Sequence, residues 1–384
     1  MDKIIEKKKS KKVGLLINNG SQMFSNGIIQ NAYFMYVCFQ QIGIESVFLT
    51  HDDSSKLEYK NLPICKLSTN LLEFDPSEFH TIITITRSIN KEMYNHLKSH
   101  KVAVISFICG NTLMHSEEEF VRGPYSNNVT TFIGKGSCVD EAWVIPSYEH
   151  SLDYIETTRG VPAYIVPHLW SPEVLLNHAK QHHAANESDL LYNIAIHTGK
   201  KIEIVIMEPN LALFKNAWVP IIAADKLYKE HPELIEFVFA FNFPDHTNSW
   251  NMADNCYLGS KLRRFKRLSV SEILKSFNTH ESIPIFLSYQ LYNSLNYLYY
   301  EILYFGYPLV HNSPDLDGCG YYYPEHNLSK CVEQILLAYK SHNKTLNTYI
   351  DKSREYLKRV DPLDPDVCKI WDQMFNSVIA KNIN

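Results

Sequence analysis

The sequence lacks several features that would place a protein in a functional class at once. Its eight cysteines form no C-x-x-C pair and no spacing typical of a zinc site, which excludes a zinc ribbon and a small disulfide framework. No apolar run approaches the ~18 residues that a membrane-spanning helix needs. The loop after the first apolar run carries no G-x-G-x-x-G fingerprint, which disfavours a dinucleotide cofactor.

The residues that are present give an ordinary globular composition, with 45% hydrophobic, 12% aromatic and 21% charged residues in a chain of 384. This composition excludes a disordered chain and a collagen-like repeat, and the length predicts two domains of normal size. The formal net charge of −5 argues against a surface built to wrap nucleic acid, although it does not exclude a local basic patch.

The start of the chain and the cysteines together predict the compartment. Six lysines lie within residues 1–12 and no apolar stretch begins before they end, so we expect a solvated tail and no signal peptide. Cysteines without a pairing pattern are typical of small buried residues in a reducing cytosol. We therefore expect a cytoplasmic protein without a membrane span.

Short apolar runs alternate with segments of helical period along nearly the whole chain. The runs lie at residues 13–18, 45–49, 81–86, 102–108, 142–146, 163–166, 202–207, 235–241, 283–288 and 308–311. Continuous apolar runs separated by helices are typical of parallel strands that are covered on both faces. The sequence therefore predicts an α/β fold with two Rossmann-like, doubly wound domains that face a cleft.

A polar stretch without apolar period, residues 177–189, separates the two series of runs and predicts a linker. The N-terminal domain is then expected at 1–176 and the C-terminal domain at 190–362. A final helix at 363–384 follows a proline-rich break and is a candidate to pack back on the N-terminal domain. In open α/β sheets ligands bind outside the carboxyl ends of the strands, so functional residues are expected in the loops there.

The loop after the first strand leads into a helix with good capping residues. Ser25 and Asn26 are favourable N-cap residues, and Gly27 would let backbone N–H groups approach an anion that the helix dipole favours. An ordinary capped helix start explains the same residues without a ligand.

The loop after the first strand of the second series carries a lysine. The strand ends at Glu208, Asn210 lies in a short polar loop, and Lys215 is expected in the opening turn of the next helix. The helix dipole disfavours a cation at that end, so a bound anion such as a phosphate would explain it. The alternative is an ordinary surface lysine.

Residues 287–313 predict a strand, a polar loop, a helix, a glycine cap and another strand. Glu301 is a lone carboxylate in an apolar and aromatic helix, and a buried carboxylate needs a partner. The hydroxyl pair of a ribose would satisfy it, and so would an unidentified arginine. The histidines nearest to strand ends have no metal-ligand spacing, so we expect no metal; they are His115, His168, His197 and His311.

Taken together, these segments resemble the two-domain, B-type nucleotide-sugar glycosyltransferases, particularly the large retaining class. That class has a short loop and a lysine after the first strand of its second domain, similar to residues 208–215 here. It also has a Glu-x7-Glu signature, in which the second glutamate matches Glu301 and the first is replaced by Asn293. A G-x-P-hydrophobic-V strand follows in the class and matches residues 306–310.

Other strings are similar to a poorly characterised family of glycosyltransferase-like proteins from bacteria and DNA viruses. They are residues 25–31 (SNGIIQN), 208–210 (EPN), 295–297 (LNY), 306–313 (GYPLVHNS) and 320–324 (GYYYP). This resemblance extends from the first strand to about Pro324.

The resemblance implies a role for each matching residue. Lys215 would contact the diphosphate of the donor, Glu301 the ribose hydroxyls, and Asn312 and Ser313 the phosphates or the donor sugar. Asn26 and Gly27 would let the donor or the acceptor approach the first domain. The arginine that usually accompanies the lysine is missing, since Glu208, Pro209 and Asn210 occupy that stretch, and Asn293 implies altered recognition of the donor sugar. The resemblance assigns no catalytic residue.

The resemblance implies transfer of a hexose or pentose from a nucleoside diphosphate to a glycan or another hydroxyl acceptor. Retention of configuration, and no metal or other cofactor, are expected. A nucleotide-sugar 2-epimerase of the same fold is an alternative. A catalytically silent nucleotide-sugar-binding protein is another, and Asn293 favours it. Sugar transfer to DNA is disfavoured by the acidic total charge.

Overall fold

The protein, seen in a computed structural model, divides into two compact units. The structure describes residues 12–17, 27–50, 64–66, 75–86, 88–122, 137–183, 185–210, 212–243, 255–316 and 318–383. Unit 1 contains residues 1–171 together with 360–384, and unit 2 contains residues 172–359.

Unit 1 is built around a seven-stranded parallel sheet with the strand order β3-β2-β1-β4-β5-β6-β7. In chain order its elements are β1 (Val13–Leu16), α1 (Gly27–Gln41), β2 (Ser46–Thr50), β3 (Ile64–Lys66), β4 (Thr81–Thr84), α2 (Lys91–Ser99), β5 (Ala103–Ile108), α3 (Thr112–Arg122), β6 (Glu141–Val144), α4 (Leu152–Arg159) and β7 (Ala163–Ile165). We call this sheet 1.

Unit 2 is built around a six-stranded parallel sheet with the order β10-β9-β8-β11-β12-β13, called sheet 2 here. Its elements are α5 (Glu173–His183), β8 (Ile202–Ile206), α6 (Trp218–Glu230), β9 (Ile235–Ala240), β10 (Leu262–Arg264), α7 (Val270–Phe277), β11 (Ile283–Leu287), α8 (Tyr297–Tyr304), β12 (Leu309–His311), β13 (Tyr321–Tyr322) and α9 (Leu328–Lys358). Short 3-10 helices in the two units lie at Pro76–Glu78, Pro146–Ser151, Glu187–Asp189, Gly259–Lys261 and Pro314–Leu316.

Sheet 2 follows the doubly wound order 3-2-1-4-5-6, and sheet 1 has the same order with a seventh strand added after the sixth. This confirms the predicted α/β fold with Rossmann-like sheets. The inner strands are buried along their length because helices cover both faces of such a sheet. The edge strand β10 is different, since its Arg263 and Arg264 are exposed. In each sheet the strand order reverses between two neighbours, β1 and β4 in sheet 1 and β8 and β11 in sheet 2.

Helix α5 occupies the first half of the polar stretch from which the sequence predicted a linker. Its buried residues Val174, Leu175 and Ala179 give it an apolar side, and it packs against α7. The three apolar positions are too few to stand out in a stretch that is otherwise rich in His, Asn and Gln. Tertiary packing therefore makes a helix where the local pattern predicts none.

The chain ends in α10 (Pro365–Ile383), which packs on α1 in unit 1. The fully buried Trp371 ring lies 5.7 Å from Phe39 and 5.5 Å from Trp143 between ring centroids. The Lys381 ammonium donates a hydrogen bond of 2.7 Å to the buried carboxylate of Glu141. Within the described parts of the chain, no helix is both long and apolar enough to cross a membrane.

Candidate functional site

The carboxyl end of sheet 2 carries a cluster of polar residues at the point where the strand order reverses. Such a reversal leaves a crevice beyond the strand ends, because the connections from the two neighbouring strands run in opposite directions. Here β8 leads to Glu208 and β11 leads to Ser288, Tyr289 and Gln290. These two loops and the loop after β12 together form the cluster.

Glu208 is fully buried and accepts three hydrogen bonds from the residues after β11. The donors are the Ser288 hydroxyl, the Tyr289 backbone N–H at 3.3 Å and the Gln290 side-chain amide at 3.2 Å. The Ser288 carbonyl in turn accepts a bond of 2.8 Å from the Tyr323 hydroxyl. The carboxyl group therefore holds the β11 loop against the end of β8.

Burial raises the pKa of Glu208 to about 7, and the Ser288 hydroxyl, the positive charge of Lys215 and the two amide donors oppose this rise. All three hydrogen-bond donors favour the ionised carboxylate, whereas desolvation favours the neutral acid. The balance places a carboxyl that changes charge near neutral pH at the centre of the cluster.

Gln290 connects the cluster to the loop after β12. The Gln290 backbone N–H donates a bond of 2.9 Å to the Asn312 side-chain oxygen, and the Asn312 amide donates a bond of 2.9 Å to the Gln290 carbonyl. The side-chain oxygen of Gln290 accepts a bond from the amide of the buried Asn293, which also donates one of 3.0 Å to the Leu295 carbonyl. We call Glu208, Ser288, Gln290, Asn293 and Asn312 the switch-point network.

Ser313 links the loop after β12 to the β11 loop, and His311 holds Ser313 in place. The buried Ser313 hydroxyl donates a bond of 2.7 Å to the Ser294 carbonyl, and its backbone N–H donates one of 3.1 Å to His311 Nδ1. His311 Nε2 therefore carries the proton and donates a bond of 2.9 Å to the Cys319 carbonyl. Burial lowers the pKa of His311 to about 4, so this histidine is a neutral structural residue.

The predicted position of Lys215 in the opening turn of a helix is wrong, because α6 begins at Trp218. The Asn210 side chain, on a residue with φ of 54°, accepts a bond of 2.7 Å from the Ala217 N–H, and Asn216 accepts one of 3.0 Å from the Trp218 N–H. These bonds hold the preceding residues outside the helix. Lys215 instead forms an antiparallel backbone bridge to Gln290, which places the lysine next to the switch-point network.

Glu301 lies on the single face of α8 that reaches the surface, together with Tyr297 and Tyr304, while the other residues of the helix are buried. The residue is partly exposed, and desolvation of its carboxyl group, the one cause of the shift, raises the pKa to about 8. Among the residues that the structure describes, none forms a hydrogen bond or ion pair with this carboxyl group. Glu301 is therefore a desolvated acid that the described protein leaves unsatisfied.

The candidate residues of unit 1 are less informative. Gly27 is the first residue of α1, and its carbonyl accepts a bond of 2.9 Å from the Asn31 side chain. Asn26 lies outside the described residues. His168 is buried and desolvation lowers its pKa to about 3, which leaves it neutral.

Sequence reasoning missed Ser288 and Gln290 as members of the site and treated Glu208 only as the end of a strand and as part of the string EPN. Both missed residues lie within three positions of the end of the apolar run IPIFL, so their position at a strand end was visible in the sequence. Their hydrogen bonds to Glu208, which lies 80 and 82 positions earlier, were not visible there. No group of three or more His, Cys, Asp or Glu side chains in the described part of the chain is arranged to hold a metal ion.

Comparison with protein families gives one match. Residues 13–375 match the model of a family described as a protein of unknown function, DUF2827. No curated protein matches the sequence.

Solved structures give the fold. A glycosyltransferase from Rickettsia africae superposes with a TM-score of 0.61 at 10% identity, over 96% of this chain and 99% of that one. The pneumococcal O-GlcNAc transferase GtfA, in complex with UDP and GlcNAc, gives 0.60 at 9% identity over 96% and 99%. HepE from Anabaena, in complex with UDP-glucose, gives 0.59 at 10% identity over 94% and 99%. The chain therefore has the B-type glycosyltransferase fold that its sequence resembles.

Proposed function

The chain belongs to the DUF2827 family, and we propose that it is a glycosyltransferase that moves a sugar from a nucleoside diphosphate to a hydroxyl group of an acceptor. Its fold is shared with enzymes that were solved with UDP or UDP-glucose bound, which favours a nucleotide sugar as the donor. Unit 2, with its polar switch point, would bind this donor.

The proposal rests mainly on the environment of the Glu301 carboxyl group. A carboxyl group with a pKa near 8 and no partner among the described residues is costly to keep in a folded protein, so a ligand that satisfies it explains its presence. A pair of vicinal hydroxyls, as in a ribose, donates two hydrogen bonds to one carboxylate. Ligand binding would then favour the ionised form and lower the pKa of Glu301.

Lys215 supplies the second element of the proposed donor site. The diphosphate leaving group gains negative charge as the bond to the sugar breaks, and a fixed cation stabilises that charge in the transition state. The backbone bridge to Gln290 holds Lys215 beside the switch-point network. We therefore assign the diphosphate to the space next to Lys215, with the ribose directed to Glu301.

The other candidate residues of unit 2 would act by shaping the loops around the donor. The side chains of Asn210, Asn293, Asn312 and Ser313 are all hydrogen-bonded within the protein, so we assign them positions around the donor rather than direct contacts with it. Asn26 and Gly27 remain proposed contacts of unit 1. We propose retention of configuration and transfer of a hexose or pentose without a metal or other cofactor, to a glycan or another hydroxyl acceptor.

Thermal unfolding with a panel of nucleoside diphosphates and nucleotide sugars tests the donor site. A ligand at about 100 times its dissociation constant stabilises the protein by about 2.7 kcal/mol, which shifts the midpoint by several degrees. We expect one nucleotide series to give this shift in the wild type and to lose it in Glu301→Ala. Lys215→Gln should weaken binding of diphosphates about tenfold or more and leave binding of the nucleoside unchanged.

Glu233→Ala is the matched control, because Glu233 is an exposed glutamate just before β9, at the amino ends of the parallel strands, whereas the candidate site lies at their carboxyl ends. It should keep the full ligand shift. If no nucleotide stabilises the wild type, or if Glu301→Ala binds as well as Glu233→Ala, the donor-site assignment is wrong.

A catalytically silent nucleotide-sugar-binding protein is the second candidate. The observation that favours it is Asn293, whose amide is satisfied by Gln290 and Leu295 at the position where the resembling class has a glutamate. Nucleotide release from the bound donor, measured with and without a panel of hydroxyl acceptors, separates the two. Release that acceptors accelerate supports the transferase, whereas tight binding with no release supports the silent protein.

A further inference from the structure

The edge strand β10 and the turn after it form a concentrated positive region, in addition to the six lysines of residues 1–12, although the protein as a whole is acidic. Five of the seven residues 261–267 are Lys or Arg, and no Asp or Glu occurs from residue 255 to residue 271, although the whole chain carries a formal net charge of −5. We call residues 261–267 the basic strip. Its charge is not needed for the donor site proposed above.

The fold displays the basic strip instead of burying it. β10 is the last strand of sheet 2 on that side and pairs only with β9 among the described strands. The five consecutive residues 263–267 are all exposed. A sheet edge with several cations is a common protection against pairing with another strand, and that role alone would explain one or two of them.

An aromatic ring is exposed in the middle of these cations. Phe265 is 40% exposed, and the inner face of its ring stacks on Phe241 with 5.2 Å between centroids and 26° between planes. The Phe265 N–H donates a bond of 2.9 Å to the Ala240 carbonyl, which fixes its backbone to β9. The ring is therefore held rigidly with one face toward solvent.

The cations at the start of the strip are positioned by a second ring. Lys261 Nζ lies 5.2 Å and Arg263 Cζ 5.0 Å from the centroid of Phe237. The positive charge of Lys261 also contributes to lowering the pKa of Glu236, although the hydrogen bond from Lys201 is the larger cause. This glutamate is thus already paired with Lys201 at 2.5 Å.

We propose that the basic strip docks the protein on the surface of a bilayer that contains anionic lipid. Each cation near such a surface increases partitioning roughly fivefold, and an exposed apolar ring among the cations can insert at the boundary between headgroups and acyl chains. Single-stranded nucleic acid is the competing partner. It is bound by several successive stacking platforms, whereas the basic strip exposes one ring, so the bilayer is favoured.

Sedimentation with lipid vesicles tests this proposal. The full chain should bind vesicles of phosphatidylcholine with roughly one phosphatidylglycerol in three lipids, and should not bind phosphatidylcholine alone. Binding should fall steeply between about 0.05 M and about 0.5 M salt, because screening weakens long-range attraction between charges.

Two triple variants with the same change of net charge locate the binding surface. The strip variant is Arg264→Gln, Lys266→Gln and Arg267→Gln, which leaves the cations that pack on Phe237 in place. The control is Lys340→Gln, Lys344→Gln and Lys352→Gln, three exposed lysines of α9. We expect a roughly hundredfold loss of vesicle binding for the strip variant and no more than a few-fold loss for the control.

Three results would overturn the proposal: no sedimentation of the wild type with anionic vesicles, equal loss in both triple variants, or binding to neutral vesicles. Binding of a fluorescent single-stranded oligonucleotide is measured in parallel and tests the competing partner. If the strip variant loses oligonucleotide binding while vesicles bind neither protein, the basic strip is a nucleic-acid site and the bilayer assignment is wrong. Thermal unfolding of both variants checks that each remains folded.

Discussion

Sheets 1 and 2 have the same strand order, but different residues lie where that order reverses. In sheet 2, Glu208 after β8 is joined by side-chain hydrogen bonds to Ser288 and Gln290 after β11. In sheet 1, Ile17 follows β1, Ile85 and Thr86 follow β4, and the Ile85 N–H donates a backbone bond of 3.0 Å to the Leu16 carbonyl.

The difference shows that strand order determines where a crevice opens and that loop residues determine its chemistry. Unit 2 contains two desolvated carboxyl groups, Glu208 and Glu301, at or near its switch point. Unit 1 instead contains a fully buried aromatic cluster in which Trp371 packs on Phe39 and Trp143. Substitutions in the two units should therefore differ in size, in pH dependence and in their effect on ligand binding.

The largest expected effect is in unit 1. Trp371→Ala removes a fully buried ring that packs on Phe39 and Trp143, and should lower the free energy of unfolding by about 3–5 kcal/mol. Urea denaturation measures this loss, and the nucleotide-dependent shift assigned to unit 2 should persist in the folded variant. Trp218→Ala is the control, since Trp218 is 43% exposed, and should cost less than about 1 kcal/mol. Similar losses in both variants would contradict the packing argument.

Gly320→Ala is expected to have the next largest effect, now in unit 2. Gly320 has φ of 70°, and an added Cβ would lie 2.7 Å from His311 Nε2 and 2.9 Å from the Leu309 carbonyl oxygen. We expect a loss of about 2–3 kcal/mol in thermal unfolding, from the backbone conformation and the clash together.

Gly318→Ala separates these two contributions, because Gly318 has φ of 79° and nothing within 4 Å of an added Cβ. It should cost only the backbone part, about 1 kcal/mol. Equal losses for Gly318→Ala and Gly320→Ala would show that the contact with His311 is unimportant.

Ser288→Ala tests the charge at the switch point of sheet 2. It removes a hydroxyl that donates to Glu208, and an ionised acceptor loses more than a neutral one, so the cost should be about 1–2 kcal/mol at about pH 8 and smaller at about pH 6. Urea denaturation at both pH values measures the difference. Ser353→Ala removes another fully buried hydroxyl, which has no hydrogen-bond partner among the described residues, and should be neutral at both. An equal cost of Ser288→Ala at both pH values would contradict a change in the charge of Glu208 between them.

The smallest expected effect is the pH dependence due to Glu301. Its pKa is about 8 in the folded protein against 4.5 for an ordinary glutamate, so the folded state binds a proton that the unfolded state has lost. Stability should therefore fall as pH rises from about 4.5 to about 8. Glu301→Gln should remove the Glu301 share of this slope and leave the share of Glu208, whose pKa is raised to about 7. Because Glu301 is partly exposed to solvent, the variant should be more stable by only about 1 kcal/mol at about pH 9.

Thermal unfolding across this pH range measures the slope, with Glu233→Gln as the exposed control that should retain it. If Glu301→Gln has the same slope as the wild type, the pKa of Glu301 is not raised in the folded protein and the desolvation argument is contradicted.

Much of the fold was predictable because its signals are local. The apolar runs at 202–207 and 283–288 became β8 and β11 within one or two residues. The glycine cap at Gly306 ends α8 with φ of 75°, as its position before Pro308 indicates. The start of α6 was predicted four residues too early, because side-chain bonds of Asn210 and Asn216 hold Lys215 outside the helix.

Within the candidate site, the sequence pointed to Asn293, Asn312 and Ser313 through strand ends and resemblance, and the structure brings all three into contact with the β11 loop. It did not point to the bond between Glu208 and Ser288. The two residues belong to loops 80 positions apart, and only the parallel pairing of β8 with β11 brings them together.

The sequence by itself determined the alternation of strands and helices, the doubly wound class and the lone carboxylate of α8, because these follow from residue type and short-range period. Tertiary structure decided that Glu208 joins Ser288 and Gln290, that Lys215 lies beside Gln290, and that the cations of the basic strip lie on a sheet edge. The tertiary structure also determined the raised pKa values of Glu208 and Glu301. Hydrogen-bond partners and desolvation depend on which distant segments pack together, and local sequence carries no direct record of that.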